Sequence, residues 1–79
     1  MSEMEYRHLY GKARDAKIGG QDAWAVQSTG EKVTVALVLN RADWLQSIGY
    51  TLAEAIHRAG PEWIELVPRI EIELRDDDC

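Results

Sequence analysis

The sequence has little of what extracellular, metal-bound or membrane-spanning proteins require. Cys79 is its one cysteine among 79 residues, which excludes an intramolecular disulfide and a structural zinc finger. The longest apolar run is the five residues from Val35 to Leu39, whereas a membrane-spanning helix needs about 20. The segment from Met1 to His8 has no apolar stretch of the kind that secretory signals contain. We therefore expect a soluble, cytoplasmic protein.

Basic residues are also scarce. The chain has 9 Lys and Arg against 14 Asp and Glu, so its formal net charge is −5. Proteins that bind nucleic acids or anionic membranes usually carry a basic surplus, which makes both classes unfavoured here. Residues 61–79 hold two bases and seven acids. We expect a single domain over residues 1–79, with residues 76–79 as an acidic, disordered tail.

Motifs that carry catalysis or bind cofactors are missing. Gly19 and Gly20 are not followed by the Lys-Ser/Thr of a phosphate-binding loop. Glu54 and His57 share the spacing of a helix face, but two residues do not make a metal site. Cys79 follows three aspartates, whose charge disfavours a reactive thiolate. We therefore predict a protein that is not an enzyme, without catalytic, cofactor-binding or metal-binding residues.

An alternating pattern around residues 28–31 resembles a β-hairpin. Trp24 and Val26 on one side, and Val33 and Val35 on the other, alternate with small or polar residues. A turn at Thr29-Gly30 would bring all four onto one face of a two-stranded pair. The second strand is apolar on its other face as well, which is typical of the centre of a sheet.

Helical signals follow the hairpin. A polar cap with an acid three residues later occurs twice, at residues 40–43 and at residues 51–54. Gly49 and Gly60 stand where two short helices would end. The apolar residues between these signals recur every three or four positions and would form one core-facing stripe. They are Leu45, Ile48, Leu52, Ala55, Ile56 and Ala59.

Two further segments alternate as strands do. Pro61 fits the start of a short turn that Pro68 would end. The following residues 69–75 alternate charge and apolar side chain without interruption, with Ile70, Ile72 and Leu74 on the apolar face. Near the start of the chain, Met4, Tyr6, His8 and Tyr10 alternate in the same way and predict a first strand.

These elements together predict an α+β fold. The order is β-β-β-α-α-β, which gives an antiparallel sheet of about four strands with two short helices packed on one face. Such a sheet leaves two open edges, and strand edges are sites of pairing between chains. We therefore expect a homodimer, formed through this sheet or through a Trp-bearing surface.

Aromatic residues provide the main functional signal. The chain has three Trp, three Tyr and no Phe, and aromatic side chains are enriched at the centres of binding interfaces. Trp44, Trp63, Tyr6 and Tyr10 are the candidate interaction surface. We predict a non-catalytic protein–protein interaction domain whose partner is a protein, either a second copy or another chain.

Two other functions stay open. One is a small-ligand-binding domain or enzyme, with a pocket between the sheet and the helices. The other is a weak nucleic-acid binder, because Arg7, Lys12 and Arg14 are interleaved with Tyr6 and Tyr10. We expect no cofactor.

Overall fold

The chain folds into helices throughout residues 3–77, the part that the computed structural model describes, and no strand occurs within that part. The predicted α+β fold, with its four-stranded sheet and β-β-β-α-α-β order, is therefore wrong. The helices are α1 (Glu3–Ala25), α2 (Thr29–Val38), α3 (Ala42–Ser47), α4 (Leu52–Ala59) and α5 (Pro61–Asp77).

The predicted hairpin turn is the N-terminus of α2. The Ser28 hydroxyl accepts a hydrogen bond from the Glu31 backbone N–H at 3.3 Å, and the Glu31 carboxylate accepts one from the Ser28 N–H at 3.0 Å. This reciprocal pair is a capping box, which satisfies two N–H groups that a helix start leaves without partners. Ser28 and Glu31 have the spacing of that motif, so the same residues specify a helix start rather than a turn.

The β-branched residues predicted as a central strand lie on α2, which is buried on almost every side. Val33, Thr34, Val35, Ala36 and Val38 are all buried, and α2 contacts each of the other four helices. A β-branched residue in a helix costs about 0.7 kcal/mol or less relative to alanine. Burying a valine side chain contributes about 1.5–3 kcal/mol. Burial at the centre of the bundle therefore outweighs the strand propensity.

Helix α5 replaces both the predicted turn and the last strand. Pro68 lies inside it and costs one backbone hydrogen bond without ending the helix. Leu66, Ile70 and Leu74, each four residues apart, are buried, whereas Ile72 is 53% exposed. In a strand Ile70 and Ile72 would share a face, so this difference in exposure reflects the helical period.

Helix α1 replaces the predicted first strand. Its buried residues Leu9, Ala13 and Ala16 recur every three or four positions, while Met4 and His8 are exposed. The two alanines present little side-chain bulk on the face that packs into the core. The helix is interrupted at Gly20, whose φ of 73° and ψ of −159° are not helical.

The predicted ends of the short helices are mostly confirmed. Thr51 accepts a hydrogen bond from the Glu54 N–H at 3.1 Å, and the Glu54 carboxylate accepts one from the Thr51 N–H at 2.9 Å. Gly49 and Gly60 have φ angles of 79° and 87°, in the left-handed region that glycine adopts at low cost. Pro61 is the first residue of α5.

The other predicted cap is wrong. Asn40 has a φ of 56° and follows the end of α2, and its side-chain amide donates to Glu71 at 2.5 Å. The N-cap of α3 is Arg41, which makes no side-chain capping bond. Asparagine tolerates the left-handed conformation better than most residues, so its role here is to end one helix rather than to start the next.

The predicted core stripe of α3 and α4 is partly correct. Leu45 and Ala55 are buried, and Ile48 packs against the core. Leu52 and Ile56 are 55% and 48% exposed, because α4 packs into the bundle through Ala55 and Ala59. The two larger side chains therefore lie on its flank.

Both capping boxes should contribute measurable stability. Ser28→Ala and Thr51→Ala should each lower the free energy of unfolding by about 1 kcal/mol, since each removes an acceptor for a helix-terminal N–H. Ser28→Asp and Thr51→Asp should be nearly neutral because aspartate caps equally well. Urea denaturation of the four variants tests this. Equal losses for Ala and Asp would show that the hydroxyls stabilise the fold by other contacts.

The C-terminal residues bear on the predicted tail. Residue 76, where that tail was expected to start, falls inside α5, which runs to Asp77. Residues 78 and 79, including Cys79, lie outside the described residues, as do residues 1 and 2. None of the helices in residues 3–77 combines the length and apolarity needed to cross a membrane.

Candidate interaction surface

An open groove on α1, closed on one side by α5, brings two of the four predicted interface residues together. We call it the tyrosine groove. The Tyr6 and Tyr10 rings stack with their centroids 6.1 Å apart and their planes at 29°. The groove has a volume of about 310 Å³. Its lining residues are Tyr6, Arg7, Tyr10, Gly11, Arg14 and Glu73.

Helical spacing builds the groove. Tyr6 and Tyr10 are four residues apart, as are Arg7 and Gly11, so the two pairs form adjacent rows on the same side of α1. Gly11 has no side chain, and a Cβ built at this position would have no other atom within 4 Å. The position therefore leaves open space between the larger side chains. Glycine inside a helix costs about 1 kcal/mol relative to alanine. Close packing does not require it here, so its contribution is an open surface.

Tyr6 has an unusual environment within the groove. Its hydroxyl is buried. The Arg69 guanidinium lies 4.3 Å from the centre of its ring. Burial, and then the nearby Glu73 carboxylate, raise the pKa of Tyr6 to about 12, with Arg69 opposing the shift. The phenol is therefore neutral at neutral pH.

This shift predicts how the protein responds to alkali. The pKa of Tyr6 in the folded state lies above its ordinary value of 10.0. The stability that comes from keeping the phenol neutral is therefore complete below about pH 10, and it is lost as the pH rises toward about 12. Absorbance titration of the folded protein should show a tyrosine that ionises near pH 12. Tyr6→Phe should remove that late step. A late step that survives in Tyr6→Phe would contradict the assignment.

Positive charge surrounds the two rings. Arg7 and Arg14 are exposed at the groove, and Arg69 covers Tyr6. Arg7 Nη2 lies 3.6 Å from Glu3 Oε1, and Arg69 Nε lies 3.7 Å from Glu73 Oε1. Such exposed ion pairs contribute little, so the arginines can exchange them for a ligand at low cost. The groove is therefore a basic, aromatic surface on an acidic protein.

The two tryptophans of the predicted surface lie elsewhere. Trp44 is 3% exposed and stacks on Trp24, with their ring centroids 5.0 Å apart. It belongs to the core, so its assignment to an exposed surface is wrong. Trp63 is half-buried on α5 and packs against the core. The described structure does not join either tryptophan to the tyrosine groove.

Several groove residues were missed by the sequence reasoning. Gly11 could have been found from a helical reading, in which it lies four residues after Arg7 on one side of α1. Arg69 and Glu73 could not, because the contact between α1 and α5 depends on how the whole bundle packs. The predicted sheet placed both residues on a solvent-facing strand surface.

Histidine does not contribute to a metal centre in the described residues. His8 Nε2 lies 2.5 Å from Glu31 Oε2. Burial would raise the pKa of Glu31, but hydrogen bonds with Ser28 and His8 and the charge of Lys12 hold that pKa below its ordinary value. His57 is exposed in the last turn of α4. No three His, Cys, Asp or Glu side chains within residues 3–77 are placed to bind a metal ion.

Comparison with known proteins leaves the groove as the main evidence for function. No protein-family model matches the chain, and no curated protein or solved structure matches it.

Proposed function

We propose that this protein is a non-catalytic protein–protein interaction domain that binds its partner in the tyrosine groove. The observation that carries the proposal is the pair of stacked tyrosines in an open groove that Arg7 and Arg14 also line. Tyrosine and arginine are enriched among the residues that dominate binding energy. The groove offers both on helices, which limits the entropy lost on binding.

The chemistry of the groove indicates an acidic partner segment with an apolar anchor. Arg7 and Arg14 favour carboxylates, which accept bidentate hydrogen bonds from guanidinium groups. The space above Gly11 accommodates one side chain of the partner against the Tyr10 ring.

The alternative functions have less support. A base-stacking platform needs free aromatic faces, whereas the Tyr6 ring is already in contact with Arg69 and Tyr10. The predicted enzyme or ligand pocket lay between a sheet and helices, and residues 3–77 contain no sheet. The expected dimer through sheet edges loses its basis for the same reason.

A peptide array that varies net charge and apolar content tests the proposal on the full chain. Binding should require acidic residues together with an aromatic or aliphatic side chain, and it should weaken as salt concentration rises. Gly11→Leu fills the groove and should weaken binding about tenfold or more, which corresponds to about 1.4 kcal/mol. Arg14→Gln should also weaken it.

Matched variants separate binding from folding. Gly11→Ala and Gly11→Leu should both stabilise α1, because both replace a helical glycine, but only leucine should block the groove. Arg58→Gln removes an equivalent charge from α4, outside the groove, and should leave binding unchanged. Peptides that bind Gly11→Leu as tightly as the parent protein would refute the groove as the interaction surface.

A further inference from the structure

A second cleft lies on α1 around its interruption, and it shares no residue with the tyrosine groove. We call it the Gln27 cleft. It has a volume of about 380 Å³, near the lower end of the range for small-molecule sites. Its lining residues are Lys12, Asp15, Ile18, Gly19, Ala23, Val26 and Gln27.

Backbone geometry fixes the shape of this cleft. The left-handed φ of Gly20 breaks α1, so that residues 21–25 take a new direction from the preceding turns. Gly19 allows Ala23 to approach closely, because a Cβ at residue 19 would lie 2.7 Å from the Ala23 Cβ. Gly20 is thus used for its backbone conformation and Gly19 for close packing, and the cleft is formed before any ligand binds.

A buried amide with an unused acceptor lies at the cleft. Gln27 is 8% exposed, and its Nε2 donates to the Lys12 carbonyl at 2.9 Å. This bond fixes the orientation of the amide, since a flipped group would place two oxygens against each other. The Oε1 atom is buried and has no partner among the described residues. An unpaired buried acceptor is costly, so a bound donor would be favourable there.

The rest of the cleft combines both charges with apolar surface. Lys12 supplies an ammonium group and Asp15 a carboxylate. Ile18 and Val26 are 75% and 85% exposed, although large aliphatic side chains usually avoid solvent. A ligand that matches all these features has a cation, an anion and an aliphatic body within a small volume.

We propose that the Gln27 cleft binds a free aliphatic α-amino acid. Its ammonium group would donate to Gln27 Oε1 and to the Asp15 carboxylate, and its carboxylate would accept from the Lys12 ammonium. Its side chain would pack between Ile18 and Val26, which removes apolar surface of both molecules from water.

An NMR titration of the isotope-labelled full chain with leucine tests this proposal. We expect saturable shifts of the Ile18, Ala23 and Gln27 amides, including the Gln27 side-chain amide. Two analogues of leucine serve as controls: leucinamide represents the N-terminal residue of a peptide, and isocaproate lacks the amine. Each should bind at least about tenfold more weakly than leucine. If either analogue binds as tightly as leucine, or if leucine causes no saturable shift, the proposal is refuted.

Variants on the exposed rim avoid the risk of unfolding. Asp15→Asn and Val26→Ser should each weaken leucine binding about tenfold. Met4→Ser removes another exposed apolar side chain, 80% exposed and outside the cleft, and should leave leucine binding unchanged. Equal affinity in all three variants would refute the cleft as the site. Peptide binding in the tyrosine groove is a separate measurement, so the two proposals can fail independently.

Discussion

Ile70→Ala should lower the free energy of unfolding by about 2–5 kcal/mol, whereas Ile72→Ala should change it by about 0.5 kcal/mol or less. Ile70 is 0% exposed within the core, and Ile72 is 53% exposed on the opposite side of α5. The two substitutions remove the same atoms from positions two residues apart. The difference between them therefore measures burial rather than the intrinsic effect of isoleucine.

Urea denaturation at neutral pH is the appropriate measurement for this pair. Because both variants carry the same change in helix propensity, one serves as the control for the other. Similar losses at both positions would mean that the two side chains share one buried face. That result would restore the strand and overturn the helical assignment of residues 69–75.

Trp24→Ala should have the largest effect of any single substitution, about 3–5 kcal/mol. The Trp24 ring is 1% exposed, stacks on Trp44, and donates from Nε1 to the Lys32 carbonyl at 2.8 Å. Its removal leaves a cavity between α1, α2 and α3 and deprives that carbonyl of its donor. A domain of this size has a total stability of only about 4–12 kcal/mol, so much of the native population would be lost.

A conservative variant separates the two contributions of this residue. Trp24→Phe keeps most of the apolar volume but cannot donate to Lys32, so its loss should lie between zero and that of alanine. Thermal unfolding followed by circular dichroism gives the order of the three proteins. If Trp24→Ala unfolds at the parent temperature, the stacked tryptophan pair does not stabilise the core.

The ends of the short helices could be predicted from the sequence because local chemistry determines them. The capping box at Thr51 and Glu54 depends on groups three residues apart. Gly49 and Gly60 adopt a positive φ at low cost because glycine has no Cβ atom. Neither requires knowledge of the rest of the fold. At Ser28 the same capping motif was present, but the valines on either side favoured a hairpin.

The helices themselves were missed because short apolar patterns fit two periods. Residues four apart, such as Ile70 and Leu74, share a face in a strand and in a helix alike. Only Ile72 distinguishes the two, and its exposure is a property of the folded bundle. Treating Pro68 as the end of a helix removed Leu66 from the pattern, and with it the evidence for a helical period.

The arrangement of the candidate surface could be predicted only in part, for the same reason. Tyr6 and Tyr10 lie on one face in either secondary structure, so they were grouped correctly although the element was wrong. Trp44 was misplaced because its burial results from stacking on Trp24, a contact between distant parts of the chain. Arg69 reaches Tyr6 only because α5 packs on α1.

The central position of α2 has a consequence for local opening of the molecule. Because α2 contacts all four other helices, its amide hydrogens can reach solvent only when the whole bundle separates. Helix α4 instead presents most of its residues to solvent, so its amide hydrogens should exchange faster than those of α2. Slow hydrogen exchange should therefore be concentrated in the valine-rich segment, which makes the least helix-prone part of the sequence the last to unfold.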